Sequence, residues 1–379
     1  MSSVSPALSG AVTIAREMVR CGVSRAVTGR LPDRAERVTA PWLASVLGRE
    51  VRSVSLLSQD SGTAARARIA LDAEPGRVFV KLTPRDVRQQ LLMNVVGLGH
   101  REVLFYRAVA ADVPIRVPRC YAAFDDPALG RIALVLEDLT GKATFRDVRD
   151  DVSVAEAGAV VDAFADLHAA LWESPRLTGP LAALGPLRRS PVVGVFGRAL
   201  VRRALARPAA PVADLVPAAL ARRSRVVTEN LEAIDDFWAA QPRTLTHGDP
   251  HLGNLFFEGA SPGFLDWQVA TICPGIRDVA YFLVTSLTPA NAREHERRLV
   301  DRYGERLAAA GITSDPDTLW TSYRAIAAEA YIAALATAGA GERMQPRAVA
   351  RSGVARASAA VQALDTFDAI ADLVGLRRG

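Results

Sequence analysis

The stretch that most constrains this chain is 246–266, which reads THGDPHLGNLFFEGASPGFLD. Two short apolar runs, Phe256-Phe257 and Phe264-Leu265, flank Gly259-Ala260-Ser261-Pro262-Gly263, a turn signal between strands. Pairing across that turn predicts a β-hairpin that carries Asn254 and Asp266 at the same end. Neighbouring strands run only about 5 Å apart, so an amide oxygen and a carboxylate converge there. Asp249 lies on the loop just before them. Oxygen ligands beside a free carboxylate suit a hard cation such as Mg2+.

The 379 residues, half of them hydrophobic, suggest two to three domains or two large lobes. The longest apolar candidate for a membrane span, near 269–287, is broken by Pro274, Arg277 and Asp278, so no transmembrane segment is expected. Arg16 and Glu17 interrupt the apolar character of the N-terminus, which argues against a secretory signal. Cys21, Cys120 and Cys273 are far apart and odd in number, which points to a reducing cytoplasm. Of the 46 basic residues only Lys81 and Lys142 are lysine. Aromatic residues make up 6% of the chain, and no basic run is interleaved with stacking rings, so no nucleic-acid partner is expected.

In chain order, 1–36 read as one or two helices, a capping element or a mobile arm. A helix is expected over 41–47 and a strand over 51–57. A polar loop at 58–65 follows, then a strand at 66–71. Residues 77–82 form a further strand with Lys81 in its interior. A helix is expected over 100–110, where Glu102 shares a face with Phe105, Tyr106 and Val109. A carboxylate on that buried face costs several kcal/mol (about 3–5) unless a cation meets it, and Lys81 is the candidate. Residues 114–121 read as extended and 131–136 as an apolar strand. Beyond a hinge at 137–142 the chain turns helical, over 154–172, 228–240, 277–287, 319–338 and an alanine-rich tail to 373. His168 reads as a core histidine. Beyond Leu187, the segment 181–225 holds nine arginines and only Asp214 as an acid, a solvated face or an attractor of anions.

One unassigned carboxylate with an amide and a second carboxylate suited to Mg2+ fits phosphoryl transfer, which needs positioning and charge neutralisation above all. Asp249 would take the proton of an acceptor hydroxyl, Asn254 and Asp266 would hold the metal, and Lys81 with Glu102 would bind phosphates. Two alternatives stand at this point. His247, Asp249, His251 and Asp266 could instead ligate a hydrolytic zinc or iron. The cluster could also be a structural hairpin with polar caps.

THGDPHLGNLFF followed by FLDWQ resembles the catalytic loop and metal-binding segment of the aminoglycoside phosphotransferase and choline kinase families. The wider pattern is closest to the ecdysteroid-kinase-like branch: FVKL at 79–82, REVLFY at 101–106, LVLEDL at 134–139, DLHAALW at 166–172 and RDVAYFL at 277–283. The resemblance implies an α+β, protein-kinase-like bilobal fold. Its parts would be an N-terminal helical extension at 1–36, a β-rich nucleotide-binding lobe at 37–139 and a mostly helical lobe at 140–379. It implies ATP and Mg2+ as cofactors and a small-molecule hydroxyl as the acceptor. It implies Asp249 as catalytic base with His247 bracing its loop, Asn254 and Asp266 as metal ligands, and Lys81 with Glu102 as the phosphate-binding pair. Ser61, Gly62 and Thr63 would lie over the phosphates, and backbone groups near Glu137 and Leu139 would meet the adenine. Asp278 would tie the helix that follows to the catalytic loop. The chain departs from protein kinases in having DWQ where they have DFG, and in lacking a glycine triad. A nucleotide-binding protein with the fold but no turnover remains the rival from another class.

Overall fold

The computed structural model describes residues 6–27, 29–187, 192–342 and 345–376. Parts of three expected segments lie outside the described residues: 1–5 and 28 near the N-terminus, Arg188 and Arg189 of the arginine-rich segment, and 343–344 and 377–379 of the tail. The fold is α+β, with a small antiparallel sheet in one lobe and helices filling the other.

Helices α1 (Pro6–Ala26) and α2 (Ala40–Leu47) precede the sheet. Thr39 caps α2 by accepting from the Trp42 N–H at 3.4 Å, and Pro41 takes an early position that needs no donor. Strands β1 (Val54–Ser61), β2 (Ala65–Leu71), β3 (Arg77–Leu82), β4 (Cys120–Asp126) and β5 (Arg131–Glu137) form one sheet in the order β1-β2-β3-β5-β4. Helices α3 (Val87–Val96) and α4 (Leu98–Ala108) lie between β3 and β4 in the chain.

Period-two alternation sorts the side chains of this sheet. Val78, Val80 and Leu82 of β3, with Ala133 and Val135 of β5, enter a small core with Leu43 of α2. Phe79, Leu134 and Leu136 face the other way, into the large core that includes α4 and the helical lobe. Lys81 falls in this second set, which turns it toward α4.

Both edge strands depart from expectation. The strand expected at 51–57 runs over 54–61, and the expected polar loop at 58–65 shrinks to a turn at 62–64. β1 pairs on one side only and is exposed along nearly its whole length, so it has no buried face to impose alternation. β4 pairs only with β5, and the extended segment expected at 114–121 places it several residues early. The extension at 6–27 is a docked cap: Ser24 Oγ accepts from Gln90 Nε2 at 3.3 Å and from Arg131 Nε at 3.0 Å, and Cys21 is buried.

In the second lobe β6 (Thr144–Phe145) is followed by α5 (Val154–Ala170), α6 (Arg198–Ala206), α7 (Ala218–Arg223), α8 (Arg225–Glu229) and α9 (Leu231–Ala239). Then come β7 (Thr244–Thr246), β8 (Leu255–Glu258), β9 (Ser261–Phe264) and β10 (Thr271–Cys273). The chain closes with α10 (Ile276–Ser286), α11 (Pro289–Ala309), α12 (Pro316–Ala340), α13 (Arg347–Ala363) and α14 (Thr366–Leu373). The expected helix at 228–240 is instead α8 and α9, broken at Asn230. Helices α3 and α11 form where none was expected. α11 is rich in charge and buries Leu299, Val300, Tyr303 and Leu307, while Arg302 and Arg306 pair with Asp162 and Asp166 of α5 at 2.6 and 2.7 Å. In the arginine-rich segment Arg198 pairs with Asp235 at 3.1 Å and Arg223 with Asp368 at 2.7 Å, so these side chains tie helices together. Among the described residues no helix is long and apolar enough to cross a membrane.

Candidate active site

The hairpin forms as its sequence predicts. β8 and β9 pair antiparallel with Leu255 opposite Phe264, and the Leu265 N–H donates to the Asn254 carbonyl at 2.8 Å. Asn254 and Asp266 therefore leave the hairpin at one end. β8 also pairs with β6.

Lys81 Nζ donates to Glu102 Oε1 at 2.7 Å and to Asp266 Oδ1 at 3.1 Å. Glu102 is fully buried on α4, beside Phe105 and Tyr106 as its spacing indicates. Burial pushes the Glu102 carboxyl above its usual range, with Lys81 opposing. Burial works against the Lys81 charge too, but Asp266 and Glu102 prevail and hold its pKa above the ordinary value. Asp266 is also penalised by burial, and Lys81 brings it below the usual carboxylate range. Asp266 adopts a left-handed backbone with φ of 58°. Trp267, next to it, stacks on Phe105 with ring centroids 3.7 Å apart, which packs the segment carrying Asp266 against α4. Arg101 reinforces this from the same helix by donating to the Ala270 carbonyl at 2.7 Å.

The loop carrying Asp249 is fixed from three sides. His247 Nε2 meets the Leu265 carbonyl at 2.7 Å, and its Nδ1 accepts the Asp249 N–H at 3.3 Å. Those bonds specify a neutral ring, and burial holds its pKa below the usual value. With both nitrogens engaged, His247 has no lone pair for a metal, which removes one of the two histidines of the hydrolytic alternative. Asp278 of α10 accepts from the backbone N–H groups of His247 at 2.6 Å and Gly248 at 3.0 Å. Burial opposes its charge, but His168, His247 and Arg277 keep its pKa low. His168 is a satisfied core residue, with Nδ1 2.9 Å from the Tyr303 hydroxyl and Nε2 3.4 Å from Asp278 Oδ2. Arg277 donates to the Gly248 carbonyl at 2.7 Å and pairs with Glu329 of α12. Gly248 sits at φ of +90°, and a Cβ there would lie 2.2 Å from the Val269 carbonyl oxygen. Asn254 Nδ2 donates to the Asp249 carbonyl at 2.9 Å and to its carboxylate at 3.3 Å.

Two cavities meet at this pair. One, of about 180 Å³, lies between the lobes and is lined by Lys81, Glu102, Glu137, Asp138, Leu139, Asn254 and Asp266 among others. The other, of about 600 Å³, lies within the helical lobe and has Gly248 and Asp249 in its wall. Ser61, Gly62 and Thr63 are not in the lining of the first cavity. Their place is taken by Arg66 and Arg68 of β2, which stand opposite Lys81 and Phe79 in the sheet. Their spacing of two in ARARIAL was the available signal. The Glu137 N–H is used on the Arg119 carbonyl at 2.8 Å, and the Glu137 carboxylate meets Arg116 at 2.9 Å. Arg277, Tyr281 and Glu329 of the second cavity were not singled out as site residues. Tyr281 lies by the Asp249 carboxylate in the wall of this cavity, and burial first and that carboxylate second raise its pKa well above the ordinary phenol value. Its spacing of four from Arg277 on α10 was legible, whereas Glu329 lies too far along the chain to be.

Residues 57–326 match the phosphotransferase enzyme family. No curated protein matches the sequence. Among solved structures, the chain is similar to an ethanolamine kinase from Plasmodium vivax, at 12% identity over 91% of this chain and 94% of that one, with a TM-score of 0.52. It is similar also to the GDP complex of aminoglycoside 2'-phosphotransferase-IIIa, at 13% identity over 83% and 94% of the two chains, again with a TM-score of 0.52. At these identities the likeness is one of fold. The sequence match takes in most of the chain, which belongs to the phosphotransferase enzyme family.

Proposed function

We propose that the protein transfers the γ-phosphate of ATP to a hydroxyl of a small molecule, with Mg2+ as the metal. The observation that carries this reading is that Asp249 and Asn254, hydrogen-bonded to each other, stand in the linings of two different cavities. An acceptor in the larger cavity would meet Asp249. A nucleotide in the smaller one would meet Lys81, Arg66 and the segment from Glu137 to Leu139.

The donor set fits a hard cation. Asn254 uses its amide N–H groups on Asp249, which leaves its carbonyl oxygen as an acceptor. Asp266 offers the carboxylate oxygen that Lys81 does not take. Asn254 and Asp266 would hold Mg2+, which when bound neutralises phosphate charge. In the reaction, the Asp249 carboxylate accepts the acceptor's proton as that oxygen bonds to the γ-phosphorus and the bond to the ADP oxygen breaks. Asn254 and the His247 ring hold Asp249 and its loop in register. Lys81, braced by Glu102, would bind the phosphates.

Asp249→Asn keeps the shape and removes the charge. Turnover should fall by a factor on the order of a hundred or more while the ATP dissociation constant changes little. Wild-type turnover in this variant would refute the role of Asp249. ATP binding without transfer to any alcohol would favour a silent nucleotide-binding protein instead.

A further inference from the structure

The larger cavity has a wall chemistry that selects its guest. It is built mainly from hydrocarbon, with Trp238, Val269, Ile272, Ile326, Ala333 and Ala336 among its lining residues. Its volume of about 600 Å³ is that of a pocket for a drug-sized molecule, roughly 300–1,000 Å³. Among the described lining residues the charged ones are Arg243, Asp249, Arg277 and Glu329, which sum to zero. Glu329 is already paired with Arg277, and Arg277 is further tied to the Gly248 carbonyl at 2.7 Å. Asp249 is the proton acceptor. Apart from the reacting Asp249, no carboxylate among the described lining residues is left to pair with a cationic guest. Residues 188–191, which follow the lining residue Leu187 in sequence, are Arg-Arg-Ser-Pro and supply no acid. Burial pushes the Cys273 thiol up to about 12, so it too stays uncharged.

On the phosphotransfer reading above, we infer that the acceptor is an uncharged alcohol with a hydrocarbon body, and that the chain discriminates against polycations. An ammonium group moved from water into this pocket would find no counter-charge among the described lining residues besides the reacting carboxylate, and a polycation would bury further charges unpaired, which is how a site rejects a competitor. The hydrocarbon body displaces water from the apolar walls, and the hydroxyl is left facing Asp249.

The test uses the full chain and two readouts. Calorimetric binding to Asp249→Asn, which removes turnover, would be measured for a hydroxysteroid, a long-chain diol and a neutral macrolactone. The same would be done for kanamycin, choline and a sugar phosphate. Transfer of labelled γ-phosphate by the wild-type chain would be followed for all six. A neutral probe should bind and turn over with kcat/KM at least about tenfold above every charged probe. Ala336→Phe, and Ala239→Phe on an exposed part of the rim, should each raise KM for that alcohol about tenfold while ATP binding stays as in wild type. Preference for a charged probe, or failure of every neutral probe to bind while ATP still binds, would overturn the inference. Failure to bind ATP at all would overturn the phosphotransfer reading beneath it.

Discussion

Replacing Lys81 by Met removes the cation that bridges the Glu102 and Asp266 carboxylates. The Lys81 and Glu102 side chains are 5% and 0% exposed, so this pair lies in the interior. Breaking a buried ion pair from one side costs about 3–5 kcal/mol. The Asp266 side chain is 31% exposed, and solvent screening limits its share to about 1 kcal/mol or less. Lys81→Met should therefore lower stability at neutral pH by about 3–5 kcal/mol. The sign of the pH effect follows from Glu102, whose carboxyl is already pushed up by burial and loses the opposing charge of Lys81 in the variant. The folded variant then holds a proton that the unfolded chain has released. Its stability should rise as pH falls, by up to about 1.4 kcal/mol per pH unit. Lys81→Met with Glu102→Gln removes the stranded charge and should recover most of the loss. Urea unfolding followed by tryptophan fluorescence at about pH 5.5 and pH 8 reads all three chains. A loss below about 1 kcal/mol, or a double variant no more stable than the single one, would refute this account of the pair.

Two further outcomes test other parts of the structure. Glu296 on α11 accepts from the Tyr323 hydroxyl, and burial raises its carboxyl from 4.5 to about 7. Between those values the folded chain holds a proton that the unfolded chain lacks, so stability falls as pH rises through that window. Glu296→Gln should match the wild type near the bottom of the window and exceed it by up to about 3 kcal/mol above its top, as thermal melts against pH would show. Gly248→Ala forces a Cβ against the Val269 carbonyl at a left-handed position between His247 and Asp249. Steady-state kinetics should show kcat reduced by about tenfold or more, beyond what the melting temperature explains.

What the sequence disclosed was whatever short-range pattern encodes. Lys81 could be singled out because a lone lysine interrupts a strand whose neighbours alternate into two cores. Glu102 could be singled out because it repeats with Phe105 and Tyr106 on one helical face. Asn254 and Asp266 were brought together by a hairpin whose turn is written in glycine and proline. The polar edge strand β1 escaped because pairing on one side imposes no alternation, and the expected loop over 58–65 was the consequence. Helix α11 was hidden by its charges. The stacking of Phe105 on Trp267 and the pairing of Arg277 with Glu329 join residues far apart in the chain, which no local periodicity reports. The walls of the larger cavity belong to this class, so the polar cluster around Asp249 was easier to read than the surface beside it.

Neighbouring residues on α10 grip the Asp249 loop from two directions, Asp278 through its amides and Arg277 through a carbonyl. The hydrocarbon walls beside it come largely from elsewhere, from α12 and the connection around 177–187. On the proposed reading, then, much of the choice of alcohol is written in portions of the gene apart from those that write the reaction, with Val269, Arg277, Tyr281 and Glu329 shared between them. On that reading, substitutions along the inward side of α12 should retune the guest in small increments, each leaving the Asp249 carboxylate where it is.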